Sequence, residues 1–239
     1  MNATNEHVLR QIEKAESLAA LWALTVRHFR AQGFEAVGYI LFDHGNIGQA
    51  VALLEHGFPS DVLSTYAALG YGRNDATLRV AMATGSPVLR SKVPEHYKLS
   101  REEAWHRKVM EGLGVGELLA LPLYGPGGRD ALCALTRAAD PALFEQANVV
   151  ALQMVAQAAH LKAFSMRTVE PAGGHGLSPR EVEILRWVAQ GKSNGVIAEI
   201  LEISIGTVDT YLRRLFEKLE VADRTSAAVK GVSMGLIRA

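Results

Sequence analysis

Leu177-Ser178-Pro179-Arg180-Glu181-Val182-Glu183-Ile184-Leu185 decides how the last quarter of this chain folds. Ser178 suits the cap of a helix, Pro179 its first turn, and Glu181 the place where a capping box sets an acid that reaches back. Val182, Leu185, Val188 and Ala189 recur at helical spacing until Gly191 supplies a left-handed stop. A second, short helix opens at Ser193 or Asn194, with Ile197, Ala198, Ile200 and Leu201 apolar. Ser204 caps a third helix after a turn of only Glu202-Ile203, and helices joined that tightly must cross steeply.

The third helix places Val208, Leu212, Leu215 and Leu219 on its buried stripe, which leaves Thr207, Asp209, Thr210, Arg213, Arg214 and Lys218 outside. With Ser204 at its start, this outer face is the expected DNA-reading surface. A fourth helix, capped by Asp223 and carrying Ala227, Ala228, Val232 and Leu236, closes the unit. Caps and stripes by themselves also fit a helical bundle that binds another protein.

The same residues resemble the DNA-binding domain of LuxR-type transcription factors, the quorum-sensing family. The shared pattern runs through Leu177-Ser178, Arg180-Glu181, Trp187, Gly191-Lys192-Ser193-Asn194, Ile197-Ala198, Thr207-Val208, Tyr211, Lys218-Leu219 and Arg224 without a gap. The resemblance implies base contacts at Asp209, Thr210 and Arg213, with Thr207 and Lys218 nearer the phosphates. Arg213 can take guanine in bidentate fashion and Asp209 can accept from a cytosine amino group, although relatives place a basic or neutral residue at the latter position. From Gly176 onward nine basic side chains face eight acidic ones, a weak electrostatic footprint for a single DNA-binding unit. Useful affinity is therefore expected from a homodimer engaging the two half-sites of an inverted-repeat promoter site in double-stranded DNA.

The chain has 239 residues, as many basic as acidic ones, and no stretch long and apolar enough for a transmembrane helix. Its polar start lacks the marks of a secretory signal, so the expected location is cytoplasmic, with no membrane partner. The stretch Val169-Glu170-Pro171-Ala172-Gly173-Gly174-His175-Gly176 has the composition of a linker. The expected organisation is a sensing domain over 1–168, a linker over 169–176 and a helix-turn-helix domain over 177–239.

Ahead of the linker, helical spacing runs through Val8, Leu9, Ile12 and Leu18 to Phe29. Strand-like Val37 to Phe42 follows, then a turn at His44-Gly45-Asn46 and a second strand near Ala50 to Glu55. Helices are expected from Asp61 to Leu69, Asp75 to Ala83 and Ser100 to Glu111, with a strand at Pro87-Val88-Leu89. Leu118 to Tyr124 and Asp130 to Thr136 form another hairpin, and Pro141 to Met166 one long helix. The predicted fold class is an α/β sandwich, an antiparallel sheet flanked by helices, followed by an all-α four-helix helix-turn-helix domain. Cys133, the only cysteine, reads as a buried strand thiol.

A sheet layered by helices can enclose a small molecule, and the resemblance implies an autoinducer-like signal pocket here. Of the family's lactone-binding positions, Tyr66 and Asp75 are kept, and Trp105 falls at a familiar aromatic position. Val62 stands in place of the first tryptophan, Ala76 in place of the proline after the acid, and Arg90 in place of the second tryptophan. Valine cannot supply the indole's donor, so the pocket is expected to take a small hydrophobic signal with a changed head group. Asp75 also suits a plain helix cap, Tyr66 plain packing, and Arg90 solvent. An ordinary acyl-homoserine-lactone receptor and a ligand-independent regulator governed by protein partners stay open.

Catalysis is not expected. The glycines at 112, 114 and 116 lack the strand-turn-helix context of a dinucleotide site, and the eight histidines show no metal-ligand spacing, so no cofactor or metal is expected. A phosphorylated receiver domain is disfavoured because such domains open with a short strand rather than a long helix.

Overall fold

The structure, a computed structural model, describes residues 3–43, 46–138, 140–166 and 176–237. The expected turn at His44-Gly45 and all of the expected linker except Gly176 lie outside the described residues. The chain divides into two compact units, Met1–Gly125 with Arg129–Met166 and Pro126–Gly128 with Arg167–Ala239.

The first unit runs α1 (Ala3–Glu13), α2 (Leu18–Ala31), β1 (Phe34–Asp43), β2 (Asn46–His56), α3 (Val62–Ala68), α4 (Ala76–Thr84), β3 (Val88–Leu89), α5 (Val93–His96), α6 (Arg101–Gly112), β4 (Leu118–Leu123), β5 (Ala131–Ala138), α7 (Leu143–Gln146) and α8 (Val149–Met166). All neighbouring strands pair antiparallel in the order β2-β1-β5-β4-β3. Two expected helices are each broken in two. Ser17 accepts from the Ala20 amide and starts α2 afresh, separating it from α1. Ala147 is extended and the Asn148 side chain accepts from the Ala151 amide, so α8 begins anew after α7.

Both faces of the sheet are covered, which is why β4 and most of β5 are apolar without alternation. On one face Val37, Leu41, Leu121, Cys133 and Leu135 pack with Phe29, Leu152 and Val155. On the other, Ile40, Phe42, Ala120, Leu132 and Ala134 meet Val62, Tyr66, Leu78 and Met110. The second face is lined by small residues in register, since Gly38 and Ala120 both pair with Ala134. Burial pushes the Cys133 thiol up to about 12, so it stays protonated and unreactive.

Buried His160 pins the β4–β5 hairpin to α8. A carbonyl only accepts, so Nε2–H donates to the Arg129 carbonyl at 3.1 Å, and Nδ1 accepts from the Tyr39 hydroxyl at 2.7 Å. Burial lowers the imidazole to about 4, only partly offset by the bond to Arg129, so the ring is neutral at physiological pH.

The second unit is α9 (Pro179–Ala189), α10 (Asn194–Leu201), α11 (Ile205–Lys218) and α12 (Arg224–Ser233). Ser178 and Glu181 form the full capping box, and Ser193, Ser204 and Asp223 each cap the helix that follows. Each such cap is worth about 1 kcal/mol. Leu185, Leu215, Leu219 and Ala227 form one apolar cluster, and Ile184, Val188, Ile197, Val208 and Leu212 a second. α12 approaches α9 so closely that a Cβ on Gly231 would lie 2.7 Å from a Leu185 methyl. The fourth helix departs from expectation at two positions: Val232 faces solvent, and Leu236 is buried beyond the helix end.

Candidate functional site

The candidate DNA-reading face is built from the turn before α11. Glu202 adopts a left-handed conformation with φ 54°, and the Ile203 amide donates to the Ala198 carbonyl. This reverses the chain in two residues. Arg180 secures the turn by donating to the Leu201 carbonyl at 2.9 Å. Ser204 then accepts from the Thr207 amide at 3.1 Å and its hydroxyl meets that of Thr207 at 2.8 Å. Thr210 donates to the Gly206 carbonyl within the helix.

The apolar stripe of α11 is buried as expected, and Asp209, Thr210, Arg213 and Arg214 are exposed. Arg213 and Arg214 have no intramolecular partner among the described residues. The acid at 209 is tethered, because the Asn194 side-chain amide donates to its Oδ1 at 2.7 Å and Arg224 donates to Asn194 Oδ1 at 3.4 Å. One carboxylate oxygen is therefore held by α10, which explains how an acid is accommodated on this face.

Lys218, expected near the phosphates, is exposed on α11 and also has a partner inside the domain. Its ammonium donates to both oxygens of Glu181, at 3.0 and 2.8 Å, and so completes the cap of α9. Burial works against the Glu181 charge, but hydrogen bonds from Lys218 and Ser178 outweigh it and hold the carboxyl below its ordinary value. The lysine thus supports the start of α9 while remaining exposed on the outer face of α11.

In the first unit, Tyr66 and Asp75 stand together. The Tyr66 hydroxyl donates to Asp75 Oδ2 at 3.1 Å, while Oδ1 accepts from the Thr77 and Leu78 amides as the cap of α4. Capping and the tyrosine contact coexist because they use different oxygens. Burial and the neighbouring carboxylate raise Tyr66 well above its ordinary value, so the phenol keeps its proton. Val62 is buried beside Tyr66 in the same layer.

Of the other two expected pocket residues, the structure places one outside the buried layer and buries the other. Trp105 is 54 % exposed on α6 and faces away from the buried layer, because the buried stripe of that helix is Glu103, His106 and Met110. Arg90 does not point to solvent: it is 6 % exposed, and Nη1 donates to the carbonyls of Val115 and Gly116 at 2.6 and 2.7 Å. A cleft is lined by Asp75, Ala76, Arg90, Glu103 and His106, with Arg107 at its side. Glu103 is fully engaged, by the Ser100 amide, the Tyr97 hydroxyl and Arg79. The sequence reading missed His106, although its place between Glu103 and Met110 on a stripe of helical spacing marks it as buried.

A layered sheet domain joined to a capped helix-turn-helix defines a transcriptional regulator that couples a sensing unit to a DNA-reading unit. The profile for bacterial regulatory proteins of the luxR family matches residues 175–230, and the profile for the autoinducer binding domain matches residues 17–163. The chain belongs to this family of LuxR-type transcriptional regulators and is not an enzyme. It is 33 % identical over 195 residues to the quorum sensing-dependent transcriptional regulator RpaR of Rhodopseudomonas palustris, covering 81 % of this chain and 78 % of that one. The regulator VjbR of Brucella ovis is 52 % identical over 61 residues, which cover 26 % of this chain and 24 % of that protein. The solved structure of Escherichia coli SdiA is alike in fold, with a TM-score of 0.73 at 17 % identity over 98 % of both chains. SdiA in complex with octanoyl-rac-glycerol gives 0.75 at 16 % identity over 97 % of this chain and 94 % of that one.

Proposed function

We propose that this regulator acts in the cytoplasm as a homodimer on an inverted-repeat promoter site, controlled by a small hydrophobic signal whose head group differs from a homoserine lactone. The observation that carries the DNA-reading part is the pair Arg213 and Arg214, exposed on α11 and unpaired among the described residues. Both guanidinium groups are free to meet phosphates or base edges without breaking a contact of the domain. Ser204, Thr207, Asp209 and Thr210 complete the face, with Ser204 and Thr207 nearest the phosphates.

Dimerisation has its own support. Val150, Met154 and Leu161 lie exposed along one face of α8 at spacings of four and seven, an apolar strip left uncovered by the described residues. Among the described residues no helix is long and apolar enough to cross a membrane. On the sensing side, an octanoyl glyceride occupies the SdiA relative, so a fold of this kind accepts an acyl chain with a head other than a lactone. The retained Tyr66–Asp75 pair favours, as a second reading, an acyl-homoserine-lactone receptor like other members of the family.

Selection from a random DNA pool with the full chain tests the first part. The expected product is a two-fold symmetric consensus with half-sites about 10 base pairs apart, centre to centre. A pool without enrichment would overturn it. Titration of the full chain with acyl-homoserine lactones of graded length tests the second part, and tight binding of any of them would favour the lactone reading.

A further inference from the structure

Arg90 is the one side chain of the sensing unit whose charge is left unanswered in the cleft. It is 6 % exposed, yet no carboxylate lies within ion-pairing distance of it among the described residues. Only Nη1 is engaged, by two backbone carbonyls that fix the guanidinium plane. The edge formed by Nε and Nη2 has no partner among the described residues, and that edge is the one arginine uses to grip a carboxylate side-on. Buried charges are otherwise paired, because burial removes water without replacing it.

The acids nearby are already committed. Asp75 is saturated by two amides at the start of α4 and by Tyr66, and Glu103 by Arg79, Tyr97 and the Ser100 amide. His106 adds a second unmet group to the same cleft. It is 3 % exposed, its Nε2 is buried with no hydrogen-bond partner, and its ring lies 5.7 Å from that of Tyr66. Burial and the Arg90 charge hold this imidazole below its ordinary value, against the pull of Asp75, so it is neutral and can donate or accept one hydrogen bond. The cleft adjoins an apolar layer: Tyr66 and Val115 belong to that layer, and they touch His106 and Arg90 respectively.

We propose that Arg90 and His106 form an anion-recognition subsite and that the signal is an amphiphile with a carboxylate head, its tail lying in the layer around Tyr66, Leu78 and Met110. This rests on the reading of the first unit as a signal-binding domain and specifies its ligand class. The carboxylate supplies the counter-charge that Arg90 lacks, and one of its oxygens lies within reach of an Nε2–H of His106.

The test uses the full chain and four probes: decanoate, decanamide, N-decanoyl-homoserine lactone and acetate, each followed by calorimetric titration and by the shift in melting temperature. Decanoate is expected to bind at least tenfold more tightly than decanamide or the lactone, and acetate far more weakly than decanoate. Arg90→Gln should erase the preference of decanoate over decanamide, and Arg90→Lys should keep part of it. Where Arg90→Gln fails to fold, His106→Phe serves instead, and a drop of severalfold in decanoate affinity alone is expected. Equal binding of decanoate and decanamide, or a preference that survives Arg90→Gln, overturns the proposal. Binding of the lactone but not of decanoate overturns it while leaving the sensing role intact, whereas a chain indifferent to all four probes overturns it and removes support for the sensing role as well.

Discussion

Lys218→Met separates two roles for a lysine at the end of the reading helix. The substitution keeps the aliphatic stem and removes the ammonium that bridges both oxygens of Glu181. Glu181 is 3 % exposed in its side chain and Lys218 38 %. Breaking a fully buried pair costs about 3–5 kcal/mol, and the partial exposure of the lysine, with the Ser178 amide still donating to Glu181, brings the expected loss to about 2 kcal/mol. For a unit of this size that is a fall in melting temperature of roughly 10 °C, read by calorimetry of the full chain. The carboxyl of Glu181 titrates below its ordinary value in the folded state, so the pair's contribution is present above the ordinary carboxylate range and disappears as the pH falls through the folded value. The gap between wild type and variant should therefore close in acid. DNA titrations across salt give the second readout, with the slope of log affinity against log salt unchanged for folded protein. Undiminished stability together with a slope shallower by about 1 would refute the structural role and make Lys218 a phosphate contact.

Arg213→Ala should weaken preference for the selected site by about 1–3 kcal/mol in gel-shift titration without moving the melting temperature; unchanged affinity would remove it from the base-reading set. Asp209→Lys should release Asn194 and change the consensus recovered from a random pool, and recovery of the same consensus would mean that this acid serves only the tether. Because the folded imidazole of His160 titrates near 4 against an unfolded value of 6.5, its neutral-state stability is complete above about pH 6.5. It falls as the pH drops toward 4, by about 3 kcal/mol in all, since only the unfolded chain takes up the proton. Urea unfolding at neutral pH and near pH 4.5 should show this slope in the wild type and lose it in His160→Gln.

The reading helix and its neighbours were legible in the sequence because their determinants are local. Ser178 meets Glu181, Ser193 meets Val196, and Ser204 meets Thr207, each three residues along, and those distances are set by helix geometry alone. The cleft of the first unit is another matter. Arg90 is held by carbonyls 25 and 26 residues away, and its orientation depends on where the glycine-rich turn after α6 comes to rest. Nothing adjacent in sequence announces that contact. The Lys218–Glu181 pair is illegible for the same reason: helical periodicity puts the lysine on the outside, where it lies, but its partner is 37 residues earlier. Val62, Tyr66 and Asp75 were placed through resemblance, which carries long-range information that spacing cannot. The breaks at Ser17 and Asn148 were overlooked because apolar spacing continues across both, while the capping side chains that interrupt it are single polar residues.

The sheet of the sensing unit acts as a partition with unlike tenants on its two sides. On the side of α1, α2 and α8 the large apolar side chains interlock, and loss of any one leaves a void that neighbours cannot fill. On the other side Gly38, Ala120 and Ala134 lie in register, with the Phe58 ring over Gly38, and Tyr66 of the same layer reaches the polar Asp75. Both sides hold fully buried side chains, but it is the second whose layer adjoins the cleft lined by Asp75, Arg90 and His106. Substitution on that second side therefore reshapes the walls of the cleft, while the packing against α2 and α8 across the sheet is left as it was.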